Sequence, residues 1–389
     1  MIIKGVDAKA IKDSRGENTI FVSIKTNVGN FSASAPTGKS KGKHEIKSYK
    51  KSLEEDIKTV KQFTDYFSQE HLEKFDDLRR IEDIISKSVG GNTIIALEFA
   101  ALKAMAKKQK KQVWQLINPK AKKIPRLVGN CIGGGKHSEE TNSRKPDFQE
   151  FLLIPKINST IKAFEINKSA KKDTELNLKK EDQHFKSKKS DEDAWMTSLD
   201  DKRVLDILSK LKIPLGIDVA ASSFYRRKKY HYNNPKLDRT SEEQIAYLSN
   251  LIKNFNVLYI EDGFGEEDFE SFGKLLKKFP NSLIVGDDLT VTNYKRLEKA
   301  IENKSINAII IKPNQNGSLV EVKKVVELSK KNNLKTIFSH RSGETTENIL
   351  SDLAFGFEAD FIKCGITGKE RISKINRLIE IGKSLKSSH

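Results

Sequence analysis

Apolar positions change their spacing along the chain, and the changes divide it. Ile20-Phe21-Val22-Ser23-Ile24 is rich in β-branched and aromatic residues, and Asn27-Val28-Gly29-Asn30 marks a turn before Phe31-Ser32-Ala33, so residues 1–35 read as strands. The polar stretch from Pro36 to Glu45 holds two glycines and no apolar period, as a mobile loop does. Ile57, Val60, Phe63 and Phe67, then Leu78, Ile81, Ile84 and Ile85, recur at helical spacing and predict helix over 52–88. Asn92 is the expected cap of a further helix, whose Ile95, Leu97, Ala100, Leu102 and Ala104 suit a buried segment. Strands followed by helices make an α+β domain over residues 1–124.

After Pro125 short apolar runs alternate with helical, Lys/Glu-rich stretches, and each run closes on a polar or ionisable residue. Phe148 leads to Gln149-Glu150, Ile217 to Asp218, Ile260 to Glu261, Gly286 to Asp287, Ile311 to Lys312, Ser339 to His340 and Ile362 to Lys363. From Glu261 onward these ends fall 23 to 28 residues apart, the length of a βα unit. Repetition of that unit predicts an α/β TIM-like barrel over residues 125–389, with these residues at its C-terminal mouth. A doubly wound open sheet is the alternative, but it gathers residues only near one switch point. Residues 160–190 are dense in lysine and poor in apolar positions, and their conformation does not follow from the pattern.

Composition alters this picture little. Lys+Arg 71 against Asp+Glu 53 gives a net charge of +18, read as lysines on solvated faces that also favour anionic metabolites. No zinc-finger spacing, RRM signature or Arg-rich block accompanies the charge, so nucleic acid is not an expected partner. The two cysteines, Cys131 and Cys364, form no CxxC, which fits a reducing compartment. The start lacks an apolar leader and no run approaches ~18 apolar residues, so no membrane partner and a cytoplasmic location are expected.

The strand ends carry the chemistry. Asp218, Glu261 and Asp287 close three successive strands and should converge, where they repel unless a cation holds them. An all-oxygen donor set suits a hard ion, Mg²⁺ before Zn²⁺. The competing reading is three separate salt bridges to local lysines. The next three strands supply Lys312, His340-Arg341 and Lys363, cations facing the carboxylates, and Arg341 offers a fork for phosphate. A lysine beside a divalent ion loses basicity and can take a proton, so removal of a weakly acidic proton next to a carboxylate is the predicted reaction.

Several segments resemble the enolase family. They are Asp13-Ser14-Arg15-Gly16, Gly133-Gly134-Gly135-Lys136-His137, Gln149-Glu150-Phe151, Gly286-Asp287-Asp288-Leu289-Thr290-Val291-Thr292-Asn293, Ser339-His340-Arg341-Ser342-Gly343-Glu344-Thr345 and Ile362-Lys363. They keep the family's order over nearly the whole chain, and the Gly-Gly-Gly-Lys-His form resembles archaeal members. The resemblance implies reversible dehydration of 2-phosphoglycerate to phosphoenolpyruvate, a Lys or His base assisted by Mg²⁺ being a pattern already known for this superfamily. It implies two Mg²⁺ per site, the first on Asp218, Glu261 and Asp287 and the second on Ser40. It implies Lys312 as the base, Glu192 as the acid with Glu150 beside it, and His340 supporting the substrate end. Gln149, His137, Arg341, Ser342 and Lys363 would bind substrate, and the protein would be a homodimer or larger homo-oligomer.

The sequence also departs from the family. Asp193-Ala194-Trp195-Met196 follow Glu192 where two glycines and then a proline are usual; Gly263 and Ser223 replace a usual proline and glutamate. Two other functions compete: a superfamily enzyme acting on another α-hydroxy acid, for which Lys210-Leu211-Lys212 precedes the strand core, and a basic enolase-like chain that binds RNA or another polyanion.

Overall fold

The computed structural model describes residues 1–39, 41–68, 70–138 and 144–387. Three antiparallel strands open it: β1 (Ile3–Lys12), β2 (Asn18–Thr26) and β3 (Gly29–Ser34), in that order. Ile20, Val22 and Ile24 of β2 point the same way and are buried, the period-2 pattern of a sheet with one covered face. The cover is the helix Gly91–Lys108, which packs on β2 and β3 and, beyond them, on the short barrel helix Pro313–Asn316. Partners on more than one side explain why this helix is apolar nearly all round.

Two helix expectations need correction. The cap is Gly90, and Asn92 lies inside the helix, where its Oδ1 accepts from Asn314 Nδ2 at 2.9 Å. The span 52–88 is broken into helices Leu53–Gln62, Thr64–Phe67 and Arg79–Ile85 with a 3₁₀ turn Phe75–Leu78. Pairing with the N-terminus interrupts it: Leu72 N donates to Met1 O (2.9 Å), and His71 bridges to Ile2. Backbone bonds to a strand outweigh continued helical spacing there.

The second region is a closed barrel of eight strands. β4 (Arg126–Gly133) and β5 (Glu150–Leu153) come first; β6 (Trp195–Met196) is an extra two-residue partner of β4. β7 (Leu215–Asp218) follows, then a small antiparallel side sheet of β8 (Tyr225–Arg226), β9 (Lys229–Asn233) and β10 (Lys236–Arg239). β11 (Val257–Glu261), β12 (Leu283–Gly286), β13 (Ala308–Ile311), β14 (Lys335–Ser339) and β15 (Phe361–Gly365) complete the wall. β15 pairs with β4 from Phe361↔Arg126 to Gly365↔Asn130, which closes the barrel and excludes the open doubly wound sheet. Val128, Leu152, Tyr259, Val285, Ile310, Ile337 and Phe361 fill its interior as a packed core.

One strand runs opposite to expectation. β5 is antiparallel to both β4 and β7, so Glu150 begins its strand instead of ending it. Among the described residues β5 returns from β4 without a crossover helix, and such a connection yields an antiparallel pair. Reversal still puts Glu150 at the mouth, paired in register with Asp218.

The lysine-rich stretch resolves into the 22-residue helix Thr160–Glu181, capped by Ser159. Its buried face is narrow: Ala163, Asn167, Ala170, Lys171, Thr174 and Leu178. Cys131 and Cys364 are both buried and unpaired. No helix of the described residues is long and apolar enough to cross a membrane.

Candidate active site

The strand ends meet in one pocket. Its walls include Gly38, His137, Gln149, Glu150, Glu192, Asp218, Asp262, Asp287, Asp288, Lys312, His340, Arg341, Ser342 and Lys363, with a free volume of about 30 Å³ between them. A larger cavity, about 820 Å³, opens among Arg126, Lys156, Asn256 and Phe361 and shares no residue with this pocket, so size does not locate the chemistry. Twelve of the thirteen predicted site residues are at or beside the mouth; Ser40 lies outside the described residues.

The competing reading of local salt bridges fails in an informative way. The carboxylates are paired, but with the lysines across the mouth. Lys363 Nζ lies 2.9 Å from Asp218 Oδ2, 2.8 Å from Glu261 Oε2 and 3.2 Å from Glu150 Oε2. Lys312 Nζ donates to Asp287 Oδ2, while Gln315 Nε2 donates to Asp287 Oδ1 at 2.9 Å. These partners also set the ionisation. Burial works to lower both ammonium groups, but Asp287 outweighs it at Lys312, and Asp218, Glu150 and Glu261 outweigh it at Lys363, so both stand above the ordinary lysine value. The lowered value expected for Lys312 belongs to a site with a divalent ion bound beside it. With Asp287 free to pair with it, Lys312 holds its proton; only when another cation engages Asp287 is that hold released.

The donor set fits a hard divalent ion. Six carboxylates line the pocket (Glu150, Glu192, Asp218, Asp262, Asp287 and Asp288) against three permanent cations, Lys312, Arg341 and Lys363. The surplus shows in the titrations: burial and Asp218 push Glu261 up to about 8, and burial and Asp287 push Asp288 up to about 8. Glu261 Oε1 is buried with no partner, a lone pair available for a ligand bond. Asp262, Asp287 and Asp288 also bring three oxygens within 4.8 Å of one another. Asp262 and Asp288 were not among the predicted residues. Asp262 accepts from the backbone N of Asp287 (2.9 Å) and Asp288 (2.6 Å), so it shapes the turn after β12.

On the other side of the pocket a second acidic pair forms. Single oxygens of Glu150 and Glu192 and a ring nitrogen of His137 lie within 4.8 Å of one another. Glu192 Oε2 accepts from Asn130 Nδ2 (2.9 Å) and lies 3.1 Å from His340 Nε2. Burial opposes the charge on Glu192, yet His340 and His137 outweigh it and hold the group well below the usual carboxylate range. Burial and the neighbouring Glu192 push Glu150 well above it. Two carboxyls with divergent affinities share one proton, and in this arrangement it rests on Glu150. His137 Nδ1 lies 3.6 Å from Glu192 Oε1 and 3.7 Å from Glu150 Oε1, so it belongs to this pair more than to the phosphate fork.

The loop at 36–45 folds over Arg341. A Cβ on Gly38 would run into the guanidinium, so glycine is what lets the loop sit there. Lys39 N donates to Ser342 Oγ (2.7 Å), and Thr37 pairs with Gly343. Glu45, which sequence reasoning quoted but gave no role, accepts from Arg341 Nη2 at 3.0 and 3.2 Å while Asn314 Oδ1 accepts from Arg341 Nη1 at 3.1 Å. Ion pairs Lys39–Asp191 (3.1 Å) and Lys43–Glu266 (3.3 Å) tie the loop's flanks to the barrel.

Comparison with known proteins now decides the family. An enolase N-terminal domain model matches residues 3–117 and an enolase C-terminal TIM barrel domain model matches residues 121–389. The chain is 36% identical to the enolase of Archaeoglobus fulgidus over 98% of its own length and 97% of that protein's. It is 35% identical to the enolase of Methanosphaera stadtmanae (99% and 97%) and 33% identical to that of Thermoplasma acidophilum (99% and 99%). The chain belongs to the enolase family.

The segment around Glu192 is held by specific contacts. Glu192 sits in an acidic run yet is only 2% exposed, so it is no solvated loop carboxylate. Asp193 adopts φ +61°, the left-handed region a glycine enters freely. Trp195 is buried, its indole N–H donating to the Lys171 carbonyl at 2.9 Å.

Proposed function

We propose that this enolase-family chain interconverts 2-phosphoglycerate and phosphoenolpyruvate, with Mg²⁺ as cofactor, as a glycolytic and gluconeogenic lyase of the cytoplasm. The observation that carries the reading is the opposition across one buried pocket of surplus carboxylates, a lysine pair and an arginine fork. A polyanionic intermediate needs all three: ligands for a cation, a base, and a phosphate anchor. Membership of the family makes the homo-oligomeric form, a dimer or larger, part of the same proposal.

Asp218, Glu261 and Asp287 would hold the first Mg²⁺ and Ser40 the second. Bound there, the metal supplies positive charge that stabilises the carboxylate-bearing carbanion and relieves the repulsion among its ligands. Arg341 and Ser342 would take the phosphate, Lys363 the carboxylate, and Gln149 and His340 the substrate's remaining polar edges. Lys312 Nζ accepts the C2 proton once Asp287 no longer holds it charged. The electron pair left on C2 forms the C2–C3 double bond as the C3 hydroxyl departs. That hydroxyl takes a proton from the Glu150–Glu192 pair and leaves as water: Glu150 carries the proton before substrate binds, and Glu192, the donor, would receive it from Glu150 and hand it to the hydroxyl; His137 abuts the pair. In reverse, the same groups add water to the double bond.

Substrate preference tests the proposal. With Mg²⁺, 2-phosphoglycerate should react, while glycerate and other α-hydroxy acids without phosphate should fall on the order of 10³-fold or more in kcat/KM, because the bonds that Arg341 and Ser342 would make to the phosphate are then lost. Equal turnover of an unphosphorylated acid would reassign the chain to a different member activity.

A further inference from the structure

The helix Thr160–Glu181 carries six lysines, and five of them, Lys162, Lys168, Lys172, Lys179 and Lys180, are exposed. Lys171 alone is buried, at 3% exposure. A buried ammonium persists only where partners replace its hydration. Its partners all lie beside Glu192. Lys171 Nζ donates to the main-chain carbonyl of Asp193, approaches Asp193 Oδ2 at 3.3 Å, and donates to Thr367 Oγ1. Thr367 Oγ1 in turn donates to Asp193 Oδ2, which closes the triangle. The Trp195 ring lies 5.5 Å from the same ammonium.

These contacts act on a tight turn. Ser190 N donates to Ala194 O (2.8 Å) and Asp193 N to Ser190 O (2.9 Å), so Glu192 is carried on a loop only a few residues wide. Asp193 holds φ +61° next to it, a conformation that an L side chain disfavours. Lys189 also pairs with Asp193, at 3.1 Å, but it is 43% exposed and so contributes little. Lys171 therefore makes a buried contact that opposes relaxation of the turn at Asp193, while Arg371 Nη2 holds the Asp191 carbonyl on the other side of Glu192 at 3.3 Å.

We propose that Lys171, Asp193 and Thr367 form a clamp that fixes Glu192 against Glu150 and His340, doing through ionic and hydrogen bonds what a residue without a Cβ does through backbone freedom. Lys171 is a positioning residue: it touches neither substrate nor the reacting atoms, and it acts through the carbonyl and side chain of Asp193. The inference rests on the reading of Glu192 as the proton donor.

The test compares phosphoenolpyruvate formation with exchange of the substrate C2 proton into deuterated water, for the full chain with Mg²⁺. A clamp that places the donor predicts that Lys171→Met lowers the dehydration kcat by about tenfold or more, since small misplacements of a catalytic group are costly. KM and C2 exchange should stay within about twofold, because Lys312 and the phosphate fork are untouched. Adding Asp193→Gly to Lys171→Met should restore dehydration to within about threefold of the parent, since glycine adopts the turn without help. Equal loss of dehydration and exchange, no loss of either, or a double variant no better than the single one would overturn the clamp. If Lys171→Met does not fold, Thr367→Val, which removes one hydroxyl and leaves the helix intact, is read by the same comparison: selective loss of dehydration supports the clamp, and equal or no loss overturns it. Glu192→Gln run in parallel separates the two claims. Full dehydration by Glu192→Gln removes the donor assignment itself, whereas its loss together with normal Lys171→Met kinetics removes only the clamp.

Discussion

Lys312→Ala should lose exchange of the C2 proton of 2-phosphoglycerate on the order of 10³-fold or more, about 4 kcal/mol of barrier, while still binding Mg²⁺. Two observations set the expectation. Lys312 ends β13 with its ammonium on Asp287, and it stands beside the pocket's carboxylates without being one of the oxygen donors. Removing it takes away the base and also a cation that competes for Asp287, so metal affinity should hold or rise. Solvent-deuterium exchange followed by NMR, with metal titrated calorimetrically, reads both. Retained exchange would move the base elsewhere; lost exchange with lost metal binding would show only that the pocket had collapsed.

Glu192→Gln should separate the two halves of the reaction. Dehydration should fall about 10²–10⁴-fold, the usual worth of a positioned proton donor, while C2 exchange remains within about tenfold. The separation follows from geometry. Glu192 bonds Asn130 and His340 on one side of the pocket, whereas Lys312 bonds Asp287 on the other. Glutamine keeps the shape and the bond from Asn130 but carries no transferable proton. Since Glu150 is the carboxyl that burial and Glu192 hold protonated, Glu150→Gln should likewise slow dehydration. Unimpaired dehydration by Glu192→Gln would place the donor elsewhere.

Much of the barrel was readable because its chemistry is periodic. Asp218, Glu261, Asp287, Lys312, His340 and Lys363 each follow an apolar run, and a repeat of that kind puts them at one rim. Glu150 was readable as a rim residue but not in direction: a reversed strand leaves the same apolar run in the sequence, and only the pairing with Asp218 reveals it. Long-range pairings stayed hidden. Nothing local distinguishes Glu45 from other loop carboxylates, because its partner Arg341 is 296 residues away. Lys171 was masked by its own neighbourhood, one buried lysine among five exposed ones at similar spacing. The ionisation of Lys312 is not legible in the sequence for a related reason: its value depends on whether Asp287 answers the lysine or a metal, and no spacing encodes that competition.

The most direct measurement is the appearance of phosphoenolpyruvate from 2-phosphoglycerate, followed by absorbance, with Mg²⁺ and again with excess chelator. The account predicts turnover with Mg²⁺ that falls to background when the ion is removed and returns when it is restored. Folded, metal-loaded protein that forms no phosphoenolpyruvate would contradict it, as would turnover that the chelator leaves untouched.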